Sequence, residues 1–343
     1  MNLRLRDAVR TLPPGSFAFV MATGIVSTAF LAVGWELPSG ILLAIAIGGL
    51  ALLAMATGWR LAAHRQAVTA DAVNPAKAFG YFTIVAGINV VGVRLFTPET
   101  PLATVILAIV SVPLWLLLTY GVPAALMLRR SDASAASEVN GSWFLWVVGT
   151  QSLATAAAAI APLSGNQALA AIAVALWGVG VMLYVILATL VTLRLLTVRS
   201  EPLTLGASYW IYMGATAITV LAGSRILVLS DELPIMAATS GIVSGLTFVL
   251  WAFGVWWVPL LIIFGIWRHA VRRVPLRYES ELWSIVFPLG MYSVASIHFG
   301  TETDLPLVVT MGEVGVWIAG VAWLAVAAAM VAALASTLRV PAR

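Results

Sequence analysis

Apolar stretches about twenty residues long recur from one end of this chain to the other, each closed off by polar or charged residues. That length matches the hydrocarbon core of a bilayer, which a helix crosses in about 20 residues. Backbone amides in hydrocarbon have no water to bond, and a helix satisfies them internally. Ten such spans are read, at roughly 16–35, 39–63, 78–96, 101–128, 142–162, 166–198, 205–229, 237–268, 282–300 and 306–337. Composition agrees, with 62% hydrophobic residues, 9% charged and a mean hydropathy of +1.03, where soluble domains carry roughly 25% charged residues. The expectation is an all-α integral membrane protein, one transmembrane domain over residues 1–343. Arg4, Arg6 and Arg10 precede the first span, which has no convincing cleavage site after a short core. It reads as a retained helix rather than a signal peptide. The chain has no cysteine, which excludes disulfides, thiol catalysis and thiolate metal sites.

The connections alternate in charge. Those after even-numbered spans are basic: Arg60, Arg65 and Lys77; Arg129 and Arg130; Arg194 and Arg199; Arg268, Arg272, Arg273 and Arg277. Those after odd-numbered spans hold mostly acids, namely Glu36, Glu99, Asp231, Glu232, Glu302 and Asp304. Lys and Arg mark the cytoplasmic side. With both termini inside, sixteen of the eighteen basic residues fall there, the exceptions being Arg94 and Arg225. The expected location is the cytoplasmic (inner) membrane. A sequence pI near 9.8 suggests no nucleic-acid partner here, because the basic residues lie in short loops where topology and anionic lipid account for them.

The odd spans start near 16, 78, 142, 205 and 282, spacings of about 62, 64, 63 and 77 residues. A regular period of this kind marks a repeated unit. Each unit is a helical hairpin entering from the same side, over approximately 11–65, 74–130, 138–199, 203–270 and 279–338. Parallel repeats place the symmetry axis along the membrane normal. Odd spans are short and hold polar and small residues such as Thr23, Asn89, Gln151, Thr216 and Ser293, whereas even spans are long and nearly pure Leu, Ala, Val and Ile. Polar groups in a membrane face the bundle interior. Ten helices are thus expected, five inner ones around a central pore and five outer ones against lipid.

The stretch ELWSIVFPLGMYSVAS in the ninth span carries a proline and a glycine mid-helix. Pro288 cannot donate to the Ser284 carbonyl, and Gly290 adds backbone freedom. Ser284, Phe287 and Gly290 share a face. Phe287 is therefore a candidate pore gate, with Pro288 and Gly290 as its hinge and Ser284 as lining; packing beside a kink is the alternative. Gly24, Gly87, Gly149 and Gly214 stand at comparable depth in the other odd spans and are candidates for pore lining or for close helix packing. Arg94 and Arg225, near the far ends of the third and seventh spans, are candidates for an anion-attracting collar, or else for snorkelling and pairing with nearby acids. Glu313 inside the tenth span and His298 near Glu302 are candidates for proton coupling. His64 and His269 sit beside arginines in loops, and the three histidines form no metal constellation. Nucleotide-binding loops, nucleophile elbows and paired catalytic carboxylates are absent, so neither an enzyme nor a cofactor is expected. Trp35, Trp59, Trp143, Trp210 and Trp283, at span ends, read as interfacial belts.

GSFAFVMATGIVS in the first span, WSIVFPLGMY in the ninth, and the five hairpins resemble the tellurite-resistance/dicarboxylate transporter family. That family includes bacterial tellurite-resistance protein A, plant slow anion channels and yeast malic acid permeases. The resemblance covers essentially the whole chain. It implies five inner and five outer helices about a pore, a homotrimer, and anion conduction blocked by one phenylalanine before a proline in the ninth helix, which Phe287 matches. One departure is that family pore helices are often kinked by prolines, whereas four of these five carry only glycines inside. The function expected is an anion channel or permissive anion transporter, with small inorganic or organic anions and the lipid bilayer as partners. A proton-coupled or facilitative C4-dicarboxylate carrier, or a tellurite-resistance transporter, is the alternative. A closed membrane scaffold or enzyme is a third reading, disfavoured by the lack of catalytic groups.

Overall fold

The computed structural model describes residues 3–128, 138–164, 167–199, 201 and 204–339. Arg129 and Arg130 lie outside them. Every regular element among the described residues is helical. Ten long helices follow one another: α1 (Ala18–Ala32), α2 (Glu36–Ala63), α3 (Phe82–Arg94), α4 (Leu102–Met127), α5 (Leu145–Ser164), α6 (Gln167–Thr197), α7 (Ile211–Leu227), α8 (Pro234–Ile266), α9 (Trp283–Glu302) and α10 (Pro306–Arg339). Short helices Leu3–Arg10 and Arg65–Ala72 lie outside this series. Among the described residues nine helices are long and apolar enough to cross a membrane. The remaining one, Ala78–Arg94 with its leading turn, is shorter; its 17 residues reach about 25 Å at the helical rise.

Each odd-numbered helix is introduced by a 3-10 turn: Pro14–Phe17, Ala78–Tyr81, Gly141–Phe144, Ala207–Trp210 and Ser280–Leu282. Laid over one another, PGSF, AFGY, GSWF, ASYW and SELW each bring an aromatic to the fourth place. Phe17, Tyr81, Phe144 and Trp283 are buried there. Consecutive turns touch, and the last touches the first. The helices behind them do the same: α1 packs on α3, α3 on α5, α5 on α7, α7 on α9 and α9 on α1. The contacts close a ring of five helices that all start at one end.

Burial separates the two sets. The apolar windows of α1, α5, α7 and α9 are 61%, 89%, 83% and 67% buried, against 11–33% for α2, α4, α6, α8 and α10. Many polar groups inside the ring find partners, as most buried groups do. Asn89 donates to the Val85 carbonyl and to Ser152 Oγ, both at 3.1 Å, and accepts from Ser111. Four outer helices each dock a tryptophan onto the next ring helix. Trp115 donates to Thr150, Trp177 to the Thr219 carbonyl, Trp251 to Ser296, and Trp323 to Thr23 across 300 residues of sequence. Tryptophan accordingly does more than mark interfaces: Trp283, read as a belt residue, is 1% exposed and meets Phe19 edge to face at 5.0 Å.

Candidate functional site

Among the described residues two cavities are lined by residues from all five ring helices. The larger, about 360 Å³, opens among the 3-10 turns and is lined by one first-turn residue from every ring helix: Ala18, Thr83, Leu145, Ile211 and Ser284. The smaller, about 20 Å³, is lined by Ile25, Val90, Ser152, Ile218 and Met291, and one turn later by Thr28, Val93, Thr155, Leu221 and Val294. In all five helices the second row follows the first by seven residues, two turns of an α-helix, so both rows lie on one face.

Between them, three residues after the first row, come Met21, Ala86, Val148, Gly214 and Phe287. None of these lines either cavity. Met21 and Phe287 are each 1% exposed, and Ala86 and Val148 are fully buried. Along each helix this buried row falls between the residues that line the two cavities, and Phe287 is its largest side chain. The i, i+3 relation of Ser284 and Phe287 was legible in the sequence. Finding the four partners requires aligning the repeats on the fourth-place aromatic of each 3-10 turn and allowing one extra residue in the second repeat, where Ala86 follows Tyr81 by five places instead of four.

Helix α9 runs through Pro288 without a break. The proline ring has room because Gly214 lacks a side chain: a Cβ there would sit 2.8 Å from Pro288 Cγ and 3.4 Å from Phe287 Cε1. Gly290 faces α1, where a Cβ would meet Ile25 and Val26 at 3.0 and 3.1 Å. At Gly24, Gly149 and Gly87 the neighbours fit the close-packing alternative. A Cβ at Gly24 would strike Val90 Cγ1 at 2.9 Å, one at Gly149 would strike Phe82 Cδ1 at 2.7 Å, and one at Gly87 would touch Val20 at 3.5 Å. None of them lines the two cavities.

The two arginines expected in one collar are separated. Arg94 donates to Ser27 Oγ at 3.0 Å and to Ser39 Oγ at 2.7 Å, tying α3 to α1 and α2. Arg225 instead lines the smaller cavity, with Nη2 3.3 Å from His298 Nε2. Glu313 is exposed on α10, and His298 has Arg225 as its partner. At the other end the larger cavity is bordered by Asp71, Lys77, Glu279 and Glu281. Asp71 accepts from Arg60 Nη2 at 2.6 Å and Lys77 Nζ at 3.0 Å. Burial raises its pKa, but the bonds and charges of Arg60 and Lys77 outweigh that and hold it below the ordinary aspartate value of 3.8. Among the described residues no group of three metal-ligating side chains occurs.

Comparison with known proteins finds relatives described as membrane proteins and as a transporter. An uncharacterized membrane protein of Mycobacterium tuberculosis (strain CDC 1551 / Oshkosh) is 48% identical over 156 residues, covering 46% of this chain and 79% of the relative. Its counterpart in strain H37Rv matches equally. An uncharacterized transporter of Methanocaldococcus jannaschii is 27% identical over 172 residues, 49% of this chain and 48% of that protein. The family described as voltage-dependent anion channel (SLAC1) matches residues 11–331. An all-helical membrane protein, this chain belongs to the voltage-dependent anion channel family.

Proposed function

We propose that the chain is an anion channel or permissive anion transporter whose pathway follows the axis of the helix ring and is closed by Phe287. In this reading ten helices form five parallel hairpins, five inner and five outer, in the cytoplasmic membrane with both termini inside. The family resemblance suggests assembly as a homotrimer. The observation that carries the proposal is the row of Met21, Ala86, Val148, Gly214 and Phe287 between two cavities that face the same axis. An apolar constriction blocks ions by excluding water, and here Phe287 supplies the largest side chain. A proton-coupled dicarboxylate carrier is less well supported, because Glu313 is exposed on an outer helix and His298 is engaged with Arg225.

The test is current per folded molecule in planar bilayers, with chloride, nitrate and malate compared. Phe287→Ala is expected to raise basal anion current at least about tenfold over wild type, and Phe287→Leu less, since dewetting depends on side-chain bulk. An unchanged current in well-folded Phe287→Ala protein would remove Phe287 as the gate.

A further inference from the structure

Arg225 Nε is a buried donor without a hydrogen-bond partner. Its residue lines the smaller cavity, on the far side of Phe287 from the larger one. Among the described residues none of the ion pairs includes Arg225. A guanidinium offers five N–H groups and no acceptor, and only Nη2 is spoken for, by His298. A buried charged donor left unbonded is costly, so its neighbourhood should supply an acceptor.

The other polar groups around the cavity have already committed their hydrogens. Thr28 donates to the Gly24 carbonyl, Ser152 to Gly149 and Thr155 to Gln151. Asn89 Nδ2 donates to Val85 and Ser152. Arg225 is thus the lining residue with an uncommitted donor, and it also carries the positive charge. Most of the remaining wall is apolar: Ile25, Val90, Val93, Ile218, Leu221 and Met291.

We propose that Arg225 and this cavity form a binding site for a single monovalent anion, held by the Arg225 Nε–H on the far side of the Phe287 row. Its role rests on the anion-pathway reading above, which it deepens by naming a fixed station on the path. The volume of about 20 Å³ is that of one water-sized body, so a small halide or nitrate fits with slight adjustment and a C4-dicarboxylate does not. One charged hydrogen bond in a wall whose other polar groups have committed their hydrogens binds weakly enough to release the ion, as conduction requires.

Bromide is the probe. Crystals of the full-length wild type grown in bromide are expected to show an anomalous peak within hydrogen-bond distance of Arg225 Nε. Nitrate should displace it, malate should not, and Arg225→Gln should lack it. In bilayers, adding Arg225→Gln to Phe287→Ala should raise the half-saturating chloride concentration about tenfold, the loss expected for one charged hydrogen bond. Arg225→Lys, which keeps the charge but not the Nε donor, should fall between them. Absence of bromide at Arg225 in wild-type crystals overturns the site without touching the channel reading, and needs no variant to fold. A chloride dependence indifferent to Arg225→Gln also overturns it. Bromide bound at Arg225 with no anion current through Phe287→Ala would sink the channel reading and leave the site standing.

Discussion

Single side chains in this protein act according to what the repeat leaves beside them. Gly141 illustrates the tightest approach to backbone atoms. A Cβ there would sit 2.6 Å from Tyr209 N, backbone against backbone where two 3-10 turns meet, whereas one at Gly15 would meet nothing within 4 Å. Overpacking of this kind costs about 1–3 kcal/mol. Gly141→Ala should therefore lower the thermal midpoint of purified protein, while Gly15→Ala leaves it nearly unchanged; equal midpoints would refute the turn contact. The Arg60–Asp71 pair gives a second prediction. Their side chains are 5% and 12% exposed, and breaking a buried pair costs about 3–5 kcal/mol. Because the Asp71 pKa is lowered on folding, its contribution is fully present above the unfolded value. It is lost as pH falls through the lower folded value, below about pH 4. A melting series down to roughly pH 3 should show a steeper loss in wild type than in Asp71→Asn, which starts less stable at neutral pH. Parallel curves would mean the pair contributes nothing.

At the scale of elements, α9 and α7 form one device. Pro288 forfeits the bond to the Ser284 carbonyl, yet α9 stays helical, and its ring occupies the space that Gly214 leaves open. The Phe287 ring edge lies against the same glycine. Replacing Pro288 by Ala restores the missing donor and empties the space into which Phe287 could retreat. Basal current is then expected to rise severalfold, less than for Phe287→Ala. Filling the gap again with Gly214→Ala in the same molecule should bring the current back down. If the double variant conducts as freely as Pro288→Ala alone, the α7–α9 contact does not set the ring's position. The outer helices obey a simpler rule. Trp115, Trp177, Trp251 and Trp323 bind the next ring helix rather than lipid headgroups, and Trp323 to Thr23 joins the last helix to the first.

For the whole molecule the ring makes a statement about access. The chain has no cysteine, so a single introduced thiol reports its own surroundings. Ser284 lines the larger cavity and Val93 the smaller one, on opposite sides of the Phe287 row. In sealed vesicles, Ser284→Cys is expected to react with a membrane-impermeant thiol reagent from one side only, and Val93→Cys from the other. Adding Phe287→Ala should open both to either side. Reaction of both from the same side in the presence of Phe287 would mean that the row does not divide the axis.

Much of this was written in the chain itself. The ten apolar stretches, the choice of which helices are buried, and the suspicion attached to Phe287 follow from properties local to each segment. Hydrocarbon length, polarity and a proline beside an aromatic can all be read without knowing any neighbour. Tertiary structure decided what depends on neighbours. Gly24, Gly87 and Gly149 face adjoining helices, because the rotation of each helix is set by the side chains that pack on it, such as Val90, Val20 and Phe82. Arg94 and Arg225 read as matching ends of two repeats, yet Arg94 follows Val93 by one residue and Arg225 follows the equivalent Leu221 by four; Ser27 and Ser39 take up the first while the second lines a cavity. Periodicity assigns a residue to a face; only the closed ring of five helices determines what that face meets.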